Sequence, residues 1–148
     1  MTKPTSDSLS RVATRNFIDT NILVYAEGAD SSIFQRVALD LLKRLFEEKR
    51  GVLSTQVLQE YCNVAIKKLG LPMDHIRAQL DLYEQFEVIQ VTPAVIRLGL
   101  DLHQTRSLAF YDSLILATAQ IAGCDLLYSE DMNDGEQIGP VRIVNPFR

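Results

Sequence analysis

Asn16-Phe17-Ile18-Asp19-Thr20-Asn21-Ile22-Leu23-Val24-Tyr25-Ala26 is the stretch from which the rest of the chain is read. Residues 16–19 form a short apolar run that stops at a carboxylate, the pattern of a buried strand meeting a turn. The apolar residues 22–26 read as the start of a helix. A strand that passes into a helix within a few residues belongs to an alternating α/β chain.

The alternation continues downstream. Ser31 or Ser32 is placed to cap a helix reaching Lys49, with Phe34, Val37, Ala38, Leu41, Leu42 and Leu45 at helical spacing. Gly51 breaks it, and Val52-Leu53-Ser54 is a short buried strand. Thr55 is the expected cap of a helix over 56–69, which stops at Gly70 before Pro72. Further helices are expected from Asp74 to Tyr83, from Pro93 to Gln104 and over 111–122; strands are expected over 86–91, 125–128 and 141–144. The pattern predicts a three-layer α/β/α domain with a mainly parallel central sheet, spanning 16–148. Residues 1–15 are rich in Ser and Thr, lack the apolar core of a secretory signal, and read as a flexible tail.

In such folds ligands bind beyond the carboxyl ends of the strands, so the polar residues just after each strand matter most. Asp19 closes the first strand; capping a helix is its ordinary role. Asn21 is placed to hold a neighbouring carboxylate or to cap that helix. Glu60 follows Val57 by three and precedes Val64 by four, so it borders an apolar stripe and needs a partner: a salt bridge or a metal. Asp112 opens a strongly apolar helix, as an N-cap or as a carboxylate favoured by the helix dipole. Asp131 follows the strand ending at Tyr128, with Glu130 and Asp134 close enough to be confused with it.

Any one of these acids has a structural explanation. Jointly they fall at one end of the expected sheet. Carboxylates gathered in one cleft repel each other and raise each other's pKa values, unless cations occupy the site. Oxygen ligands without Cys or His select magnesium or manganese. The chemistry that uses such a site is phosphodiester hydrolysis, in which metal ions generate hydroxide and neutralise phosphate.

Four segments carry a family resemblance: Phe17-Ile18-Asp19-Thr20-Asn21, Leu58-Gln59-Glu60-Tyr61, Tyr111-Asp112-Ser113-Leu114-Ile115-Leu116-Ala117 and Leu127-Tyr128-Ser129-Glu130-Asp131-Met132. In order and spacing they resemble the motifs of the PIN-domain family, VapC-like toxins in particular, over nearly the whole folded chain. The resemblance implies a PIN fold, a Mg2+ or Mn2+ cofactor and cleavage of single-stranded RNA. It makes Asp19, Glu60, Asp112 and Asp131 the catalytic and metal-binding tetrad, with Asn21 and Ser129 in support. It also implies a homodimer in the cytoplasm and a small antitoxin partner. Tyr111 departs from the Trp that is frequent at that position.

Arg36, Lys67 and Lys68 are the candidate phosphate contacts. Lys43, Arg44, Lys49 and Arg50 alternate with Glu47 and Glu48, the pattern of a solvated helix face. Asn63 lies one turn after Glu60 and is either a substrate contact or simply exposed.

Composition narrows the alternatives. A net charge of −4 argues against nucleic-acid binding by charge alone. Cys62 and Cys124 lack metal spacing and read as two buried, reduced thiols. No apolar run approaches the roughly 20 residues of a membrane span. A haloacid-dehalogenase-like phosphatase needs an acid two positions after Asp19, where this chain has Asn21. Neither a phosphate-binding GxxxxGK[ST] loop nor a GxGxxG turn is present. The remaining alternative is a catalytically silent PIN-like module that binds RNA or acts as a scaffold.

Overall fold

The apolar run read first becomes β1 (Asn16–Ile18), with Phe17 and Ile18 fully enclosed, in a computed structural model that describes residues 14–29 and 31–148. It is joined by β2 (Gly51–Ser54), β3 (Glu87–Ile89), β4 (Leu126–Tyr128), β5 (Gln137–Ile138) and β6 (Val141–Val144) in the order β3-β2-β1-β4-β6-β5. Every pairing is parallel except β5 with β6. Helices cover both faces, giving the expected three-layer α/β/α arrangement with a mainly parallel sheet. Burial on both faces explains why the central strands read as continuous apolar runs.

β5 was not expected. It pairs only two residues with β6 and reaches it through Gly139, whose φ of 57° suits glycine. Two residues are too few to show an alternating pattern.

The helices are α1 (Thr20–Ala26), α2 (Ser32–Glu47), α3 (Thr55–Lys67), α4 (Met73–Tyr83), α5 (Pro93–Arg106) and α6 (Phe110–Ile121). Ser31 caps α2, and Ala38, Leu41, Leu42 and Leu45 form its buried stripe. Thr55 does not cap α3. Ser54 does, accepting from the Val57 N–H at 3.2 Å, because Ser54 keeps the extended backbone of β2 while Thr55 is already helical. The Thr55 hydroxyl accepts from the Val91 N–H instead. Asp112 does not cap α6 either: Ala109 holds that position, which puts Asp112 in the first turn.

α6 is buried from Ser113 to Ala119. Its two interior hydroxyls are satisfied locally, Ser113 donating to Ala109 O and Thr118 to Leu114 O. α5 lies directly against it at Gly99, where a Cβ would stand 2.7 Å from Leu114 Cδ2. Both cysteines are free; Cys124 is buried as expected, but Cys62 is only half-buried on α3.

Residues 1–13 of the expected tail lie outside the described residues. Arg15 is anchored: its guanidinium donates to both Glu87 carboxylate oxygens at 2.6 and 2.9 Å and to Ala122 O at 2.9 Å. Among the described residues, no helix is long and apolar enough to cross a membrane.

The strand order sets the site. β1 is central, with β2 and β3 on one side and β4, β6 and β5 on the other. Winding reverses direction at β1, and the crevice at such a switch point opens beyond the strands' carboxyl ends.

Candidate active site

Asp19 follows β1 and caps α1. Its Oδ1 accepts from the Thr20 N–H at 2.7 Å and its Oδ2 from Ser129 Oγ at 2.8 Å. The residue is only 5% exposed. Burial pushes its pKa up to about 7; those two hydrogen bonds oppose the rise, and repulsion from Asp112 and Glu60 adds to it.

Glu60 comes from α3, which follows β2. Its Oε1 accepts from Thr20 Oγ1 at 2.6 Å. Asp131 lies in the loop after β4, exposed, with Oδ2 accepting from Asn21 Nδ2 at 2.8 Å. Asp112 reaches the site from the first turn of α6. Its pKa is also raised, by burial first and then by Asp131 and Glu60.

These four carboxylates line a single cleft of about 260 Å³ together with Thr20, Asn21, Asn63 and Val64. No Lys or Arg is among the eight lining residues, so nothing in the cleft wall offsets the negative charge. An all-oxygen donor set of this kind suits a hard divalent cation. Among the described residues, however, no three acids, His or Cys converge closely enough to hold an ion as they stand. Thr20 engages Glu60, Asn21 engages Asp131, and Ser129 with the Thr20 N–H engages Asp19. The donor chemistry fits a cation.

The family model of the PIN domain matches residues 17–133, a span containing all four acids. The chain belongs to the PIN domain family. No curated protein matches it significantly by sequence. Among solved structures it resembles a chain of a toxin–antitoxin complex from Klebsiella pneumoniae, at 23% identity and a TM-score of 0.68, covering 88% of this chain and 97% of that one. It also resembles VapC20 of Mycobacterium tuberculosis, a sarcin–ricin loop cleaving toxin, at 21% identity and a TM-score of 0.62, covering 78% and 89%. A third neighbour belongs to VapBC2 of Rickettsia felis bound to a fragment of its promoter DNA, at 18% identity and a TM-score of 0.63, covering 88% and 97%. At these identities the likeness is one of fold.

In this PIN domain the acids that rival Asp131 in sequence are occupied elsewhere. Glu130 accepts from the Tyr25 hydroxyl at 2.7 Å, and Asp134 accepts from the Asn145 N–H at 2.8 Å. Asn63 is exposed and lines the acidic cleft. Arg36 on α2, Lys67 at the end of α3 and Lys68 just beyond it are exposed, and none of them lines that cleft. Two residues went unnoticed in the sequence. Thr20, between Asp19 and Asn21, is the partner of Glu60. Gln56 is buried four positions before Glu60, a spacing that puts both on one face of α3.

Proposed function

We propose that this PIN domain is a Mg2+- or Mn2+-dependent endoribonuclease that hydrolyses phosphodiester bonds of single-stranded RNA, and that it is the toxin of a VapBC-like pair. The observation that carries the reading is the convergence of Asp19, Glu60, Asp112 and Asp131, from four different elements, on one cleft without a cation in its wall. These four would hold the metal, which when bound supplies a hydroxide and neutralises phosphate charge. Ser129 and the Thr20 N–H fix Asp19, while Asn21 orients Asp131. Burial holds the Asp19 pKa up at about 7, and a bound cation would favour its charged form. Arg36, Lys67 and Lys68 would steer the RNA backbone from outside the cleft.

The family and the fold of the neighbours support this reading, as does the cleavage of the sarcin–ricin loop by one of those neighbours. In the same reading the protein is a cytoplasmic homodimer held silent by a small antitoxin. The deciding experiment is cleavage of labelled RNAs and single-stranded DNAs with manganese, magnesium or EDTA, run beside Asp112→Asn. Metal-dependent cutting of RNA that the variant loses is expected. RNA binding without any cutting would favour the silent module instead. Expressed alone in bacteria, the wild type should arrest growth and Asp112→Asn should not.

A further inference from the structure

Next to the acidic cleft, and sharing Glu60 and Asn63 with it, is a second hollow of about 300 Å³ lined by Gln56, Gln59, Glu60, Asn63 and Tyr111. Its wall is of another kind: three side-chain amides and an aromatic ring. Tyr111 is 64% exposed and meets Phe110 in an edge-to-face contact, with ring centroids 5.6 Å apart. An exposed aromatic beside a nuclease-like cleft offers a stacking face, and a base can stack on it whatever its sequence identity.

Gln56 makes a sharper point. It is 6% exposed, and its Nε2 donates to the Tyr111 main-chain oxygen at 3.1 Å. That bond fixes the amide's orientation, since the flipped amide would set oxygen against oxygen. Gln56 Oε1 is then a buried acceptor with no hydrogen-bond partner among the described residues. Buried acceptors are costly to leave unmade, and an isolated one calls for a missing donor. The same side chain lines the hollow, while its oxygen lies buried behind the wall.

We propose that this hollow is a nucleobase subsite. A base of single-stranded RNA lying across the acidic cleft stacks on Tyr111, with its edge toward the amides of Gln56, Gln59 and Asn63. Gln59 and Asn63 present both donors and acceptors to that edge. The inference rests on the ribonuclease reading and adds where one base next to the cut phosphate is held. Gln56 ties this to the reaction centre, because its partner Tyr111 directly precedes Asp112.

The test is fluorescence anisotropy of a labelled 12-nucleotide single-stranded RNA bound to the full chain in calcium, repeated with one abasic nucleotide walked along the strand. Wild type is expected to lose on the order of tenfold in affinity at one abasic position. Tyr111→Ala should lose a similar factor on the intact strand and nothing further at that position. Tyr111→Phe, which keeps the ring, should bind like wild type, and a melting curve checks that each variant is folded. Tyr111→Ala binding the intact strand as wild type does, or still losing tenfold at that abasic position, overturns the subsite. Equal affinity for the same sequence as DNA overturns its assignment to RNA. Magnesium-dependent cutting is scored separately, beside Asp112→Asn. Cutting with no Tyr111 effect sinks the subsite alone; a Tyr111 effect with no cutting sinks the nuclease reading alone.

Discussion

The Thr20 hydroxyl donates to Glu60 at 2.6 Å, joining residues forty positions apart in the chain. Thr20 opens α1 at the end of β1, and Glu60 sits on α3 beyond β2. The bond therefore ties the first two strand–helix units together at the mouth of the cleft. It gives a half-buried carboxylate a donor where no cation is present in the cleft wall.

Thr20→Val keeps the shape of a buried side chain and removes that donor. Without metal, the variant should be less stable by about 1–2 kcal/mol, a fall in Tm of several degrees. Saturating magnesium should narrow the gap, because the cation takes over the role of partner to Glu60. Melting curves in EDTA and in magnesium measure both effects. Identical Tm values in EDTA would show that the hydroxyl contributes nothing.

Magnesium should itself raise the Tm of the wild type by relieving repulsion among the four carboxylates. A ligand at a hundred times its Kd stabilises by roughly 2.7 kcal/mol. Asp112→Asn should lose most of this response, since it removes one of the two acids in the cleft with a raised pKa. A wild-type melting curve unmoved by millimolar-order magnesium would count against the metal site.

The pH dependence follows from Asp19. Its folded-state pKa, about 7, lies above the ordinary 3.8. A carboxyl raised on folding binds its proton more tightly in the folded state. Its contribution to stability is therefore full below about pH 4 and is lost as pH rises through about 7. Asp19→Asn carries no such proton. In EDTA the variant should gain on the wild type from pH 4 to 8, by an amount on the order of 2–4 kcal/mol. Taking the difference between the two proteins cancels titrations not coupled to Asp19, such as Glu87, whose pKa is lowered by its hydrogen bond to Arg15. A difference that stays flat across that range would refute the assignment.

Gly99→Ala tests the packing that aims Asp112. In a helix the change ordinarily stabilises by up to about 1 kcal/mol. Here the new Cβ would stand 2.7 Å from Leu114 Cδ2, and Leu114 is 5% exposed with little room to retreat. A net loss of about 1–2 kcal/mol is expected. An increase in Tm would show that α5 and α6 repack without cost.

Much of this was legible in the residues themselves. Short apolar runs at Phe17-Ile18, Val52-Leu53 and Leu126-Leu127 announced buried parallel strands. Ser31, one of two adjacent serines, and Pro93 marked helix starts by chemistry that acts within a few residues. Such signals are local, so sequence carries them. The Thr55 cap failed for an equally local reason: two adjacent hydroxyl residues compete, and only the backbone decides which is still extended.

By itself, then, the sequence determined an alternating α/β chain with an acid at or shortly after several strand ends, and the membership of the PIN family that those motifs carry. Tertiary structure decided which acids face one another. Asp131 lines the cleft, whereas Glu130 turns to Tyr25 and Asp134 to the Asn145 N–H. It also decided that Thr20 holds Glu60 and that Gln56, whose amide donates to the Tyr111 main-chain oxygen, has an acceptor unmet among the described residues. Distances among residues 11 to 110 positions apart set these relationships. No periodicity or capping rule encodes them, because they arise only when the strand order closes the sheet around β1.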